Sequence, residues 1–118
     1  MKTNQAVMAF SQSEKIKVGL IWASQILEFM GGLPGEQKIG AQKSALALMR
    51  MVAQETSLAK ALTGHEDWTV AESYMDKALV MLESGVEEEA MLQVARALSK
   101  VTNVGQQAMS QLQDAGLL

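Results

Sequence analysis

Few residues in this chain have side chains that could carry out chemistry. His65 is the only imidazole, and so the only side chain that could exchange a proton as histidine does or accept a phosphoryl group on nitrogen. Glu28 and Glu55 lie within or beside apolar positions, and two converging carboxylates can act as an acid and a base or hold a metal ion. The cations available to pair with these carboxylates are Lys15, Arg50 and Lys60.

The composition excludes most metal and covalent chemistry. The 118 residues contain no cysteine and one histidine, which excludes disulfides, thiolate zinc sites, cysteine nucleophiles and two-histidine metal motifs. Residues 31–35 (GGLPG) are rich in glycine but lack the strand before, and the lysine with serine or threonine after, that a phosphate-binding loop requires. We therefore expect a protein that is not an enzyme and that needs no cofactor and no metal.

Charge and hydropathy indicate which partners to exclude. Ten basic and 13 acidic residues give a net charge of −3, which disfavours binding to nucleic acid. The most apolar stretch, residues 18–30, contains Gln25 and Glu28 and is shorter than the roughly 20 residues of a membrane span. The first residues contain no apolar run typical of a signal peptide. These patterns predict a cytoplasmic protein with no nucleic-acid partner and no membrane partner.

Helix breakers divide the chain into four segments. They cluster at residues 31–35, 63–67 and 84–87, and the segments between them are rich in alanine, leucine, methionine, glutamine and glutamate, which favour helices. Because short connections make neighbouring helices antiparallel, we expect an all-α, up-down-up-down four-helix bundle with a shorter third helix, in a single domain over residues 1–118. The predicted helices span about residues 4–31, 36–63, 67–84 and 87–115.

The unequal helix lengths leave two arrangements open. Either the long helices project beyond the third helix, or the first helix begins at Ser11 and residues 1–10 form an arm.

Each helix also carries an apolar stripe at intervals of three and four residues, which should face a common core. The stripes predicted for helices 2 and 3 are Ala41, Ala45, Leu48, Val52, Glu55, Ala59 and Leu62, and Trp68, Ala71, Met75, Ala78 and Leu82.

Two segments contain more apolar residues than one stripe requires. Residues 18–23 and 45–53 are apolar nearly all the way round the helix, and a second stripe (Gly19, Trp22, Ile26, Phe29) adjoins the first in helix 1. A helix that is apolar on every side has to be covered on every side, although scattered exposed alanine and methionine are also common on monomers. We expect a homo-oligomer, with a two-fold dimer favoured. The interface residues predicted on this basis are Val18, Ile21, Trp22, Leu46, Met49 and Met51.

Three functions remain open. The first is a small helical-bundle protein that acts by homo-oligomerisation and protein–protein interaction, as an adaptor, structural or regulatory protein. The second is a bundle that binds an apolar small ligand where small seam residues face Trp22, Trp68 and Phe29. The third function is histidine phosphotransfer, because a four-helix bundle of this length with a single histidine resembles the histidine-phosphotransfer domains. That resemblance implies phosphoryl transfer through His65, although the family's reactive histidine lies in mid-helix and His65 lies in a predicted turn.

Overall fold

Four helices and no strand make up the computed structural model, which describes residues 1–118. The helices are α1 (Thr3–Met30), α2 (Gly35–Thr63), α3 (Glu66–Glu83) and α4 (Glu87–Asp114). Each helix packs against two others, because α1 contacts α2 and α4, and α3 contacts the same two helices. The predicted all-α, up-down-up-down four-helix bundle with a shorter third helix is therefore confirmed.

The turn between α2 and α3 follows from two consecutive residues. Gly64 ends α2 with a φ of 66°, in the left-handed region that glycine adopts without steric cost, and its N–H donates to the Lys60 carbonyl at 2.9 Å. His65 then begins α3 as its N-terminal cap. With only these two residues between the helices, the chain reverses and α3 packs back along α2.

The helices of unequal length leave one end of the bundle with two helices. Residues 3–10 belong to α1 and Ala6 and Ala9 are buried, so these residues are not an arm. His65 contacts Gln107, and α4 continues seven residues further to Asp114, about 10 Å at 1.5 Å per residue. Because α2 still reaches Val7 and Met8 through Leu62, only residues 3–6 and 111–114 form a two-helix stem. In this stem the Gln111 side-chain amide donates to the Met1 carbonyl.

The core confirms the stripe predicted for α3 and corrects the one predicted for α2. All five predicted α3 positions are buried. In α2, however, Ala41, Leu48, Glu55 and Leu62 are not fully buried, and the buried positions include Met49, Thr56 and Thr63 instead. The physical reason is that each threonine hydroxyl donates to the carbonyl four residues earlier, at 2.9 and 2.8 Å, so a polar residue is buried with its donor satisfied.

Glycine allows α1 to pack closely against both of its neighbours. A Cβ added at Gly19 would lie 2.8 Å from Val52 Cγ2 on α2. A Cβ added at Gly105 on α4 would lie 2.7 Å from the hydroxyl oxygen of Ser13 on α1. Both distances are too short for a real side chain, so these two glycines set the distance of α2 and α4 from α1.

Candidate functional site: an apolar groove between α1 and α2

An apolar groove lies on the outer face of the bundle, where α1 and α2 pack together. Its main section has a volume of about 480 Å³, and a second section of about 400 Å³ adjoins it at Trp22 and Leu48 and continues past Ile26 to Phe29. We call the two sections together the α1–α2 groove. The residues that line the main section are Lys15, Ile16, Val18, Gly19, Trp22, Leu48, Met51, Val52, Gln54 and Glu55.

Three of the six residues predicted for an interface line this groove. Val18, Trp22 and Met51 are 39%, 58% and 61% exposed, and all three border the main section. Val18 and Trp22 lie one turn apart on α1, and Met51 lies on α2. The structure therefore brings together residues from both apolar segments of the sequence on one accessible surface.

The other three predicted residues lie elsewhere. Ile21 is 38% exposed but sits about 100° round α1 from Trp22 and does not border the groove. Leu46 is half-buried, one turn before Arg50, whose guanidinium is 3.1 Å from Glu83 on α3, so Leu46 lies on the α3 side of α2. Met49 is 1% exposed and part of the core, so its assignment to an outward interface is wrong.

Sequence reasoning did not assign Leu48 and Phe29 to the interface. Phe29 is the most exposed large apolar residue of the chain, and Leu48 lines both sections of the groove. For Phe29 the signal was present, because Phe29 ends the second stripe of α1. For Leu48 the signal was ambiguous, because an apolar residue at that spacing suits a core position equally well.

Two polar contacts join α1 to α2 at the groove, and both are made to Glu55. Lys15 Nζ lies 3.1 Å from Glu55 Oε1, and the Gln12 side-chain amide donates to Glu55 Oε2 at 3.3 Å. This is the only salt bridge between α1 and α2, since the other ion pairs lie within α1 or join α2 to α3 or α4. The hydrogen bond from Lys15, followed by that from Gln12, lowers the pKa of Glu55 below its ordinary value.

Replacing Lys15 with methionine should raise the pKa of Glu55 back toward its ordinary value, because the strongest contact to its carboxylate is lost. A carboxylate with a lowered folded-state pKa stabilises the fold above its unfolded pKa, and that stabilisation disappears as the pH falls through the folded-state pKa. The stability difference between wild type and Lys15→Met should therefore shrink on acidification. Carbon-13 NMR of the Glu55 carboxyl measures the pKa shift.

Lys43→Met is the matched control for this titration, because Lys43 is exposed on α2 and forms no salt bridge. The Glu55 titration should be unchanged in the control. Equal Glu55 titrations in wild type and Lys15→Met would contradict the assigned cause.

The two glutamates of the paired-acid hypothesis do not share a site. Glu55 contacts Lys15, and Glu28 lies 13 residues beyond Lys15 on α1, about 20 Å along the helix axis. Two carboxylates acting on one bond lie within about 10 Å of each other. The structure also contains no group of three or more histidine, aspartate or glutamate side chains placed to hold a metal ion.

Both ring nitrogens of His65 are used in the turn before α3. Nδ1 accepts a hydrogen bond from the Asp67 backbone N–H at 3.1 Å, so the ring proton is assigned to Nε2, which lies 2.6 Å from Gln107 Oε1 and donates to it. His65 thus caps α3 and ties that helix to α4. A phosphoryl group on either nitrogen would displace one of these two contacts.

Replacing His65 with alanine should lower the free energy of unfolding by about 0.5–2 kcal/mol, the usual cost of losing an N-terminal cap. His65→Asn keeps a side-chain acceptor for the Asp67 N–H and should recover most of that loss. Urea unfolding followed by circular dichroism measures both values. Equal losses in the two variants would show that capping is not what His65 contributes to stability.

None of the four helices contains a stretch both long and apolar enough to cross a lipid bilayer. No protein-family model, no curated protein and no solved structure matches this chain.

Proposed function

We propose that the protein acts by self-association through the α1–α2 groove and, as a dimer in the cytoplasm, serves as a small adaptor, structural or regulatory protein that binds another protein. One observation carries this proposal: Trp22, Phe29 and Met51 are each more than half exposed along one groove. Large apolar side chains that share one exposed surface are typical of interaction sites, because burying them is worth about 25 cal/mol for each Å².

One long side of the bundle is large enough for a dimer interface of standard size. The bundle measures 53 × 21 × 18 Å, so one long side has a projected area on the order of 950 Å², compared with roughly 800 Å² buried per partner in a standard interface. The centre of such an interface is usually apolar and aromatic with few charges, and the groove has this composition apart from Lys15 and Glu55.

Sedimentation equilibrium of the wild-type protein at micromolar concentrations tests the proposal. The expected result is a dimer whose fraction rises with concentration. A stable monomer throughout that range would contradict self-association as the mode of action.

A second candidate, the binding of an apolar small molecule, is supported by the volume of the groove. The main section, at about 480 Å³, lies within the range of about 300–1,000 Å³ typical of ligand sites. Such a ligand would lie beside Trp22 and Phe29, since Trp68 is buried and its indole N–H donates to Thr63 at 2.8 Å. Native mass spectrometry of protein from its own host distinguishes the two candidates, because a retained small mass on a monomer favours the ligand.

A further inference from the structure

We infer that the two copies of the proposed dimer are related by a two-fold axis parallel to the long axis of the bundle. In this arrangement α1 of each copy packs antiparallel against α2 of the other. The inference rests on the proposed self-association and adds the geometry of the pair. Three features of the α1–α2 groove support this inference. They are the position of its single ion pair, the positions of its apolar residues, and the exposure of the ion pair and the apolar residues to solvent.

The ion pair gives the groove a direction. Lys15 lies on the α1 side and Glu55 on the α2 side at the same level, with 3.1 Å between the charged atoms. Their side chains are 60% and 34% exposed, so both charges are accessible to a molecule that covers the groove. A second copy must therefore meet a positive charge on one helix and a negative charge on the other.

A two-fold axis that pairs this face with itself lies in the plane of the face, and its two limiting orientations are parallel to the helices and across them. An axis parallel to the helices exchanges α1 with α2 and keeps every residue at its own level, so Lys15 faces Glu55 of the partner subunit. An axis across the helices, through the ion pair, keeps each helix opposite its own copy, so Lys15 faces the partner's Lys15. Because like charges at an interface oppose association, the ion pair selects the parallel axis.

Moving the crosswise axis along the groove does not remove this difficulty. Away from the level of Lys15 and Glu55, the groove is lined by apolar residues such as Trp22, Leu48 and Ile26. In a shifted copy the ion pair would lie against these apolar side chains. Both charges would then lose their contact with water and gain no oppositely charged partner on the other copy. The parallel axis places each charge of one copy opposite its counterpart on the other, in a square of alternating charges.

The same axis also matches the apolar residues. Gly19 of α1 lies against Val52 of α2, so Trp22, one turn further along α1, lies at the level of Leu48. Exchanging the helices therefore places Trp22 opposite Leu48 of the partner subunit. An aromatic ring covered by a leucine side chain buries apolar surface on both copies, which is favourable. The apolar section that includes Val7, Met8 and Leu62 lies on the other side of the ion pair. The charges are thus flanked by apolar contacts and fix the register of the two copies.

A mixing experiment with the charge-exchanged variant K15E/E55K tests the axis. This variant has the same alternating square within its own dimer. Paired with wild type across a parallel axis, however, it places lysine opposite lysine and glutamate opposite glutamate. The wild-type protein is labelled with nitrogen-15, because the exchange leaves the mass unchanged. The two proteins are mixed, equilibrated and analysed by native mass spectrometry.

The parallel axis predicts that heterodimers fall well below the about half of all dimers expected from random exchange. A crosswise axis predicts the opposite, because position 15 of one subunit would then face position 15 of the other, and position 55 would face position 55. Wild type and variant carry opposite charges at both positions, so that axis would enrich heterodimers. A fraction of half or more overturns the inference. Lys15→Glu alone should raise the dimer dissociation constant at least about tenfold, and adding Glu55→Lys should restore it.

Cysteine cross-linking provides a second measurement, which does not require the charge variants to dimerise. The chain has no native cysteine, so each introduced thiol is unique. A mixture of Lys15→Cys and Glu55→Cys proteins should form the mixed disulfide, because the parallel axis brings these positions together. Preferential cross-linking of Lys15→Cys to itself would overturn the inference.

The two proposals fail in different ways. A monomeric wild-type protein would contradict self-association itself. A wild-type dimer that mixes freely with K15E/E55K would leave self-association intact and reject only the parallel axis.

Discussion

Replacing Trp68 with alanine is expected to lower the free energy of unfolding by about 3–5 kcal/mol, the largest loss for any single truncation in this chain. Trp68 is the largest fully buried side chain, so its removal leaves a cavity between α3 and its neighbours. The indole N–H also donates to the Thr63 hydroxyl at 2.8 Å, and that hydroxyl donates to the Ala59 carbonyl at the end of α2. The truncation therefore removes packing and a hydrogen bond together.

Guanidinium unfolding followed by far-ultraviolet circular dichroism measures this loss. Trp68→Phe keeps most of the buried volume but loses one of the two fused rings together with the N–H, so it should cost clearly less than Trp68→Ala. Thr63→Val leaves the indole N–H buried without its partner and should cost about 1–3 kcal/mol. A Trp68→Ala variant within about 1 kcal/mol of wild type would contradict the central role assigned to this side chain.

Replacing Trp22 with glutamate is expected to raise the dissociation constant of the dimer by at least about 30-fold, which corresponds to about 2 kcal/mol or more for a central aromatic contact. The change removes the ring from the middle of the α1–α2 groove and places a carboxylate among apolar residues. The fold should be little affected, because Trp22 is mostly exposed and outside the core. Sedimentation equilibrium gives the dissociation constant, and thermal unfolding checks the fold.

Ile21→Glu is the matched control. Ile21 is the neighbouring residue, is also an exposed apolar side chain of α1 and does not border the groove. Its replacement introduces the same charge and should leave the dissociation constant within about twofold of wild type, as expected outside an interface. Equal weakening by both substitutions would show that the α1–α2 groove is not the association surface.

The sequence was sufficient to predict the helices and most of the core. The α3 stripe from Trp68 to Leu82 is buried at every predicted position, because α3 has one clear apolar side. The α2 stripe was misplaced because Thr56 and Thr63 look polar but are buried with their hydroxyls bonded to the backbone. Hydrophobic spacing cannot detect that local hydrogen bond, so the predicted seam was rotated toward Leu48 and Leu62.

The candidate site was predicted in outline only. The surplus of apolar residues in α1 and α2 indicated a second surface, and Val18, Trp22 and Met51 do line one groove. Which side of each helix faces outward depends on the packing of its neighbours, which is why Met49, a core residue, was assigned to an outward interface. The ion pair between Lys15 and Glu55 joins residues 40 positions apart. Lys15 was one of three possible partners, and only the fold selects among them.

The two-helix stem determines where the molecule opens first. Its only buried residues are Ala6 and Leu112, so the stem buries little apolar area. Separating the ends of α1 and α4 therefore requires much less free energy than unfolding the four-helix section around Trp68. Amide hydrogens of residues 3–6 and 111–114 should exchange with solvent first, and a protease should cut there before it cuts within the four-helix section.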